Sequence, residues 1–72
     1  MKKIETLCKN LDLDSEYEYF DYIYESYING QFTQVIELIE DMKKNDKKNA
    51  LAYFLNNYEN NKSLIEVIVN YI

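Results

Sequence analysis

The sequence predicts an all-α fold: a small bundle of four to five short helices around a central antiparallel helix pair, with residues 1–72 as a single domain. Three observations predict it. The 72 residues include no Pro and one Gly, whereas strands joined by hairpin turns need more Gly. Apolar residues recur at the spacing of a helix face, and short polar segments separate these stretches. The chain is also too short for more than one domain.

The size of the chain limits its core. A protein of this length buries only about 60% of the surface that its unfolded chain exposes. The hydrophobic content of 47%, with eight Tyr and three Phe, still argues against disorder. Stability must therefore come from close helix packing, from a partner or from self-association.

The first helix is predicted over residues 2–11, because one face carries apolar residues at helical spacing: Ile4, Leu7, Cys8 and Leu11. The polar segment 12–14 ends this pattern. Cys8 is the one cysteine of the chain, so it forms no internal disulfide, and we expect it to be a small buried hydrophobic residue. Without a His to activate it, a nucleophilic function for Cys8 is not expected.

The second helix is predicted over residues 16–28. Ser15 and Glu18 have the spacing of a capping box at its start, and Asn29-Gly30 supplies a left-handed end. Its inward face is predicted to consist of Tyr17, Phe20, Ile23, Tyr24, Tyr27 and Ile28.

The third helix is predicted over residues 32–44. Its inward residues are Phe32, Val35, Ile36, Ile39 and Met42. Lys43 and Lys44 would fall in its last turn, where cations suit the helix dipole.

A fourth helix is predicted over residues 47–58, with a cap from Asn45-Asp46 and an Asn-rich end that includes Asn60 and Asn61. Its apolar stripe is Ala50, Leu51, Phe54, Leu55 and Tyr58. Ser63 and Glu66 form a second capping box before a last helix over residues 64–72. This segment is rich in Ile and Val, so a strand is the alternative.

The charge balance excludes several classes of function. Eight Lys and 13 acidic residues, with no His, give a net charge of −5, and the sequence has no Arg. Such a chain is a poor binder of nucleic-acid phosphates, and it lacks the commonest general base and metal ligand. We therefore expect no enzyme, no direct nucleic-acid contact and no cofactor. The absence of an apolar run of about 18 residues and of a signal peptide predicts a cytoplasmic protein, in a bacterial host, that contacts no membrane.

Acidic residues are concentrated in the first part of the chain. Between Asn10 and Met42 there are nine carboxylates and no basic residue. A field of one sign attracts basic surfaces and raises association rates. One interpretation is a solvated face that keeps the protein soluble. The other is an electrostatic decoy, in which helical carboxylates occupy a groove that is built for nucleic acid.

Tyrosine is concentrated in the second helix. Tyr22 is predicted to point outward among carboxylates, and Tyr19 is a second candidate for the same face. A rigid ring beside carboxylates suits a protein interface, and an Arg-rich partner in particular. The predicted partner-binding residues are Glu18, Asp21, Tyr22, Glu25, Glu37, Glu40 and Asp41.

The alternating acidic residues 12–18 also suggest a calcium loop. The sixth position of such a loop requires Gly and is Tyr17 here, and the twelfth requires a bidentate Glu and is Ile23. We therefore predict no metal site.

Residues 25–42 resemble the middle of a tetratricopeptide unit, in which Gly and an aromatic residue follow the first helix of a pair. Gly30 and Phe32 match that turn, whereas Val35 takes the place of the expected Ala. No second copy follows. The resemblance implies an antiparallel helix pair and not a repeat array.

In size and composition the chain also resembles short acidic proteins of bacteriophages and mobile elements, many of which inhibit host enzymes, including CRISPR nucleases. The resemblance implies an inhibitor or modulator of a host protein with a basic surface. Two alternatives stay open. One is an antitoxin for a basic toxin. The other is an assembly module that forms a homodimer through the apolar last helix, with the contacts Leu64, Ile65, Ile68, Val69 and Ile72.

Overall fold

The computed structural model describes residues 1–58 and 62–72. Five helices run through these residues, so the predicted all-α bundle is confirmed. They are α1 (Ile4–Asn10), α2 (Glu16–Ile28), α3 (Phe32–Asp41), α4 (Lys44–Asn57) and α5 (Lys62–Tyr71).

The helix α1 is shorter than predicted: it begins at Ile4 and not at residue 2, and a tight turn ends it after Asn10. Asp12 has a positive φ of 57°, and the Leu13 N–H donates to the Cys8 carbonyl oxygen at 2.8 Å. This 6→1 hydrogen bond beyond a left-handed residue is the Schellman ending of a helix. Leu11, predicted to face inward, lies at this turn and is 40% exposed.

Both ends of α2 lie where the sequence predicts them. At the start, the Ser15 hydroxyl accepts a hydrogen bond from the Glu18 N–H at 3.4 Å. The Glu18 carboxylate reaches back to the N–H of Asp14, one residue earlier than in the usual capping box. At the end, Gly30 has a φ of 75°, and the Gln31 N–H donates to the Ser26 carbonyl oxygen at 2.9 Å, which completes a second Schellman turn.

The junction of α3 and α4 differs from the prediction. The helix α3 ends at Asp41, because Met42 takes an extended conformation and its side chain is fully buried. The Lys2 N–H donates to the Asp41 carbonyl oxygen at 2.9 Å, which ties the start of the chain to this junction. Lys43 and Lys44 therefore begin α4 and do not close α3, and the predicted Asn45-Asp46 cap lies inside α4.

The last predicted segment forms a helix, α5, and not the alternative strand. It begins before Ser63, so the predicted cap at Ser63 is wrong. Its last turn is held by Lys47 of α4, which is buried and whose Nζ donates to the Tyr71 carbonyl oxygen at 2.9 Å. A cation at the carbonyl end of a helix is favourable, and the contact makes α4 and α5 an antiparallel pair. The predicted Asn60 and Asn61 lie outside the described residues.

The helix α2 lies at the centre of the bundle, where it contacts α1, α3 and α4. The pair of α2 and α3 is antiparallel, as predicted: the Tyr19 hydroxyl meets the end of α3 at Leu38, and Ser26 meets Gln34 near its start. The buried core draws on all five helices and on Met42: Ile4, Leu7, Cys8, Tyr19, Phe20, Ile23, Val35, Leu38, Ile39, Met42, Ala50, Phe54, Leu64 and Ile68.

Several residues that the periodicity placed inside are exposed. Short helices around so small a core bury only a narrow stripe each, and apolar residues at the edge of the stripe stay in contact with water. They are Leu11, Tyr17, Ile28, Phe32, Leu55, Val69 and Ile72. Conversely, Tyr19 is fully buried although it was a candidate for the outer face.

None of the helices in the described part of the chain is long and apolar enough to cross a membrane.

We expect Gly30→Ala to lower the free energy of unfolding by about 1 kcal/mol. A Cβ at this position meets nothing within 4 Å, so the whole cost comes from the positive φ. Urea unfolding followed by circular dichroism measures it.

The matched variant is Asp12→Gly, which places Gly at the other left-handed position. It should raise the free energy of unfolding by a few tenths of a kcal/mol to about 1 kcal/mol, because Gly adopts this conformation without steric strain. A change of the same sign in both variants would contradict the backbone explanation.

Candidate protein-binding surface

The nine carboxylates between Asn10 and Met42, which we call the acidic block, are mostly on the surface. Glu16 and Asp21 are half-buried, and the other seven are exposed: Asp12, Asp14, Glu18, Glu25, Glu37, Glu40 and Asp41. Within residues 1–58 and 62–72, no Lys forms an ion pair with any carboxylate. The charge segregation of the sequence is therefore not cancelled by local pairing in the fold.

Four of the seven predicted partner-binding residues lie together. Glu18, Asp21, Tyr22 and Glu25 line a shallow groove of about 250 Å³ with Leu13. No Lys lines it. Lysines Lys3 and Lys43 instead lie in a separate groove beside α1 and the start of α4, where Glu5 and Asp46 accompany them.

The carboxylates of α3 divide into two groups. Gln34 marks the boundary between α2 and α3, because its Nε2 donates to both Tyr22 and Ser26 at 2.9 Å. At 100° per residue, Glu37 and Asp41 lie within about 60° of Gln34 on the helix surface, whereas Glu40 lies about 120° away. Glu37 and Asp41 thus border the α2–α3 boundary and Glu40 does not.

On α2, Glu18 and Glu25 lie within about 60° of Tyr22, which accepts the hydrogen bond from Gln34. We use the name acidic face for the four exposed carboxylates nearest the α2–α3 boundary: Glu18 and Glu25 on α2, and Glu37 and Asp41 on α3. Glu18 and Glu25 are separated by about 10 Å along the axis of α2. Such a surface attracts cationic groups and offers no counter-charge of its own.

The Asp21 carboxylate makes its hydrogen bonds within the fold. Its Oδ1 accepts a hydrogen bond from the Tyr53 hydroxyl at 2.8 Å and another from the Tyr58 hydroxyl. Both tyrosines belong to the end of α4, and Tyr58 also stacks on Tyr24 of α2 with ring centroids 3.8 Å apart. Asp21 therefore joins α2 to α4, although the sequence pattern placed it among the partner-binding residues.

Tyr22 and Tyr19 also differ from the expectation of outward rings. Tyr22 is half-buried, and its hydroxyl oxygen accepts the hydrogen bond from Gln34. Tyr19 donates its hydroxyl to the Leu38 carbonyl oxygen at 2.6 Å in the core. Burial, with a smaller contribution from the nearby Asp41, raises the pKa of Tyr19 above its ordinary value. Neither ring is presented to a partner as an open surface.

The exposed tyrosine is Tyr17, which the periodicity assigned to the core. It lies 55% exposed at the start of α2 and packs on Tyr53 of α4, with ring centroids 5.5 Å apart. Sequence reasoning missed it because the partner ring comes from α4, far along the chain. The sequence carried no signal for its exposure, because Tyr17 stands at helical spacing before Phe20 and Tyr24 and so reads as a residue of the inward face.

Cys8 is buried, and its Sγ donates to the Ser15 carbonyl oxygen at 3.3 Å. Burial, and then the charges of Glu16 and Glu18, raise the pKa of the thiol, which disfavours the nucleophilic thiolate. In the part of the chain that the structure describes, no group of three or more Cys, Asp and Glu side chains could hold a metal ion.

Comparison with protein-family models, with curated proteins and with solved structures gives no match to this chain. The described surface offers exposed carboxylates that form no ion pair, and groups of this kind can hold positively charged groups.

We expect Asp21→Ala to destabilise the fold by about 1 to 2 kcal/mol, because it leaves the hydroxyls of Tyr53 and Tyr58 without their acceptor. Glu25→Ala removes a carboxylate from the same helix at an exposed position with no side-chain hydrogen bond, and should change stability by about 0.5 kcal/mol or less. Thermal and urea unfolding of both variants test the difference. Equal effects would show that Asp21 acts only through its charge.

The tyrosine cluster also predicts a pH dependence. Burial, and then the Asp21 carboxylate, raise the pKa of Tyr58 and of Tyr53 above the unfolded value of about 10. The resulting stabilisation is fully present below that pH and is lost as the pH rises through the folded-state values. Tyr58→Phe should therefore make the loss of stability above about pH 10 less steep, as measured by urea unfolding at several pH values. An unchanged slope would contradict this assignment.

Proposed function

We propose that this protein is a binding inhibitor or modulator that places its acidic face on a basic surface of a host protein. The observation that supports the proposal best is the absence of Lys from the acidic face: Glu18, Glu25, Glu37 and Asp41 are exposed, and no lysine within the described residues pairs with them. A protein that needed these charges only for solubility gains nothing from their grouping along one helix boundary.

The electrostatics favour fast and selective association. The chain carries a net charge of −5, and the four exposed carboxylates of the acidic face form no ion pair within the described residues, so their field steers the molecule toward a positive patch before contact. Basic patches of this kind are the surfaces with which nucleases and other proteins hold nucleic acid. A covered patch can no longer hold its nucleic acid, which makes the binding inhibitory.

The small size, the acidity and the Tyr- and Asn-rich composition support a bacteriophage or mobile-element origin and a site of action in the bacterial cytoplasm. A defence nuclease is the target class that this origin favours. An antitoxin would use the same acidic face against a basic toxin, so the two proposals differ in the partner and not in the surface.

Self-association through α5 has less support. Leu64 and Ile68, two of the five predicted contacts, are fully buried in the core of the single chain. Ile65 is half-buried, which leaves Val69 and Ile72 as the exposed apolar residues of this set. Two such residues form a small patch, whereas a stable interface buries about 800 Å² on each partner.

The test is a double charge reversal, Glu25→Lys with Glu37→Lys, on either side of the α2–α3 boundary. Pull-down from a low-GC bacterial lysate identifies a partner, and its affinity for each variant is then measured at two salt concentrations. We expect the reversal to weaken binding at least about tenfold near 0.15 M salt, because like charges then face the basic surface.

The matched control is Glu5→Lys with Glu66→Lys, which changes the net charge equally at exposed positions outside the acidic face. This control should weaken binding far less, and both double variants should keep the helical circular dichroism spectrum. If the control weakens binding as much as the reversal, net charge alone drives association. If the affinity resists both the reversal and added salt, the proposal fails.

A further inference from the structure

A second recessed surface lies between α2 and α4, away from the acidic face. This α2–α4 groove has a volume of about 310 Å³ and is lined mainly by Glu16, Tyr17, Asn49, Tyr53, Asn56 and Asn57. We propose that it binds an arginine side chain of the protein partner. The inference rests on the proposed function for the existence of a basic partner, and it adds the residue type that is recognised.

Tyr17 provides the aromatic platform of the groove. Its ring is 55% exposed, while Tyr53 supports it at 5.5 Å with an interplanar angle of 31°, and Phe20 meets it edge-on at 6.3 Å. Tyr53 is held in turn by its hydrogen bond to Asp21. A ring fixed in this way loses little entropy on binding, and its free face attracts a guanidinium plane by stacking and cation–π attraction.

Two other side chains that line the groove with this ring carry hydrogen-bond acceptors. Glu16 is half-buried in the wall of the groove and makes no hydrogen bond or ion pair within the described residues. The Asn57 amide donates its Nδ2 to the Tyr53 carbonyl oxygen at 2.8 Å, which leaves its Oδ1 as an acceptor. A carboxylate and a fixed amide oxygen beside a ring suit a planar group with several N–H donors.

The end of α4 adds to the negative potential. Tyr53, Asn56 and Asn57 belong to its carbonyl end, where a helix carries partial negative charge, and the last turn of α4 contains no basic residue. None of the described residues that line the groove is a Lys. The groove therefore lacks the cation that such a helix end favours, and a partner can supply it.

The geometry favours arginine over lysine. The guanidinium group is planar, so it stacks on Tyr17 while its N–H groups remain directed at Glu16 and Asn57. The lysine ammonium is compact and strongly hydrated, and it gains from charge but not from stacking. Selectivity for arginine thus separates the groove from the acidic face, which attracts either cation.

The experiment is an NMR titration of the ¹⁵N-labelled full chain with the blocked peptide acetyl-Gly-Arg-Gly-amide, and in parallel with its Lys counterpart at equal ionic strength. We expect saturable shifts at Tyr17, at Tyr53 and at the side-chain amides of Asn49 and Asn57. The arginine peptide should bind about three- to fivefold more tightly than the lysine peptide. Tyr17→Leu should abolish this preference, and Tyr17→Phe should retain it.

The matched control is Phe32→Leu, since Phe32 is 58% exposed but lies at the α2–α3 turn. It should leave the preference for arginine unchanged. Equal affinities for the two peptides, or shifts confined to the acidic face, would overturn the groove assignment and leave the electrostatic proposal standing. Arginine-selective shifts in the groove, together with a partner affinity that resists the charge reversals, would support the groove and remove the proposed function. Shift mapping on the unmodified chain decides the outcome even if Tyr17→Leu does not fold.

Discussion

The packing of α2 against three other helices is the constraint on which the rest of the structure depends. A chain of 72 residues has little core to share, and α2 supplies Tyr19, Phe20 and Ile23 to it. Tyr19 is large enough to fill the space toward α3, but its hydroxyl must then find a partner in the core, which the Leu38 carbonyl provides at 2.6 Å. The use of tyrosine as a core residue thus fixes the distance and the register between α2 and α3.

Because buried tyrosine hydroxyls need hydrogen-bond partners, one carboxylate of α2 is used within the fold and others stay exposed to water. On the α4 side of α2, the hydroxyls of Tyr53 and Tyr58 need an acceptor, and Asp21 provides it. On the α3 side, Gln34 satisfies Tyr22, so Glu25 and Glu37 are left without an internal partner. Of the nine carboxylates between Asn10 and Met42, the tyrosine hydroxyls thus use Asp21, and the four of the acidic face remain exposed.

Sequence reasoning succeeded where the determinants are local. Both ends of α2 were predicted because Ser15 and Gly30 act on backbone groups within a few residues. The α3–α4 junction was not, because Met42 leaves the helix to be buried among distant residues and Lys2 pairs with it. Periodicity also failed to choose between Tyr17 and Tyr19, because Tyr19 is buried by packing toward α3, which the local sequence does not show. For the predicted site, the sequence pattern placed Glu18, Asp21, Tyr22 and Glu25 together, and they line one groove. It did not predict that Asp21 accepts hydrogen bonds from tyrosine hydroxyls within the fold.

Asp21 connects the two surfaces that we assign to a partner. It lines the groove beside Glu18 and Glu25, and the same carboxylate holds Tyr53, which supports the Tyr17 ring in the α2–α4 groove. A guanidinium on Tyr17 and a basic patch on the acidic face would therefore both contact α2, where Tyr17 lies about 80° to 100° around the helix from Glu25 and Glu18. The orientation of α2 is fixed by its core residues. Because α2 is rigid between its two caps, the separation of the two sites is fixed before binding. The entropy cost of arranging the two sites therefore arises during folding and not during binding. A partner that presents an arginine and a basic patch at that separation would be selected by geometry as well as by charge.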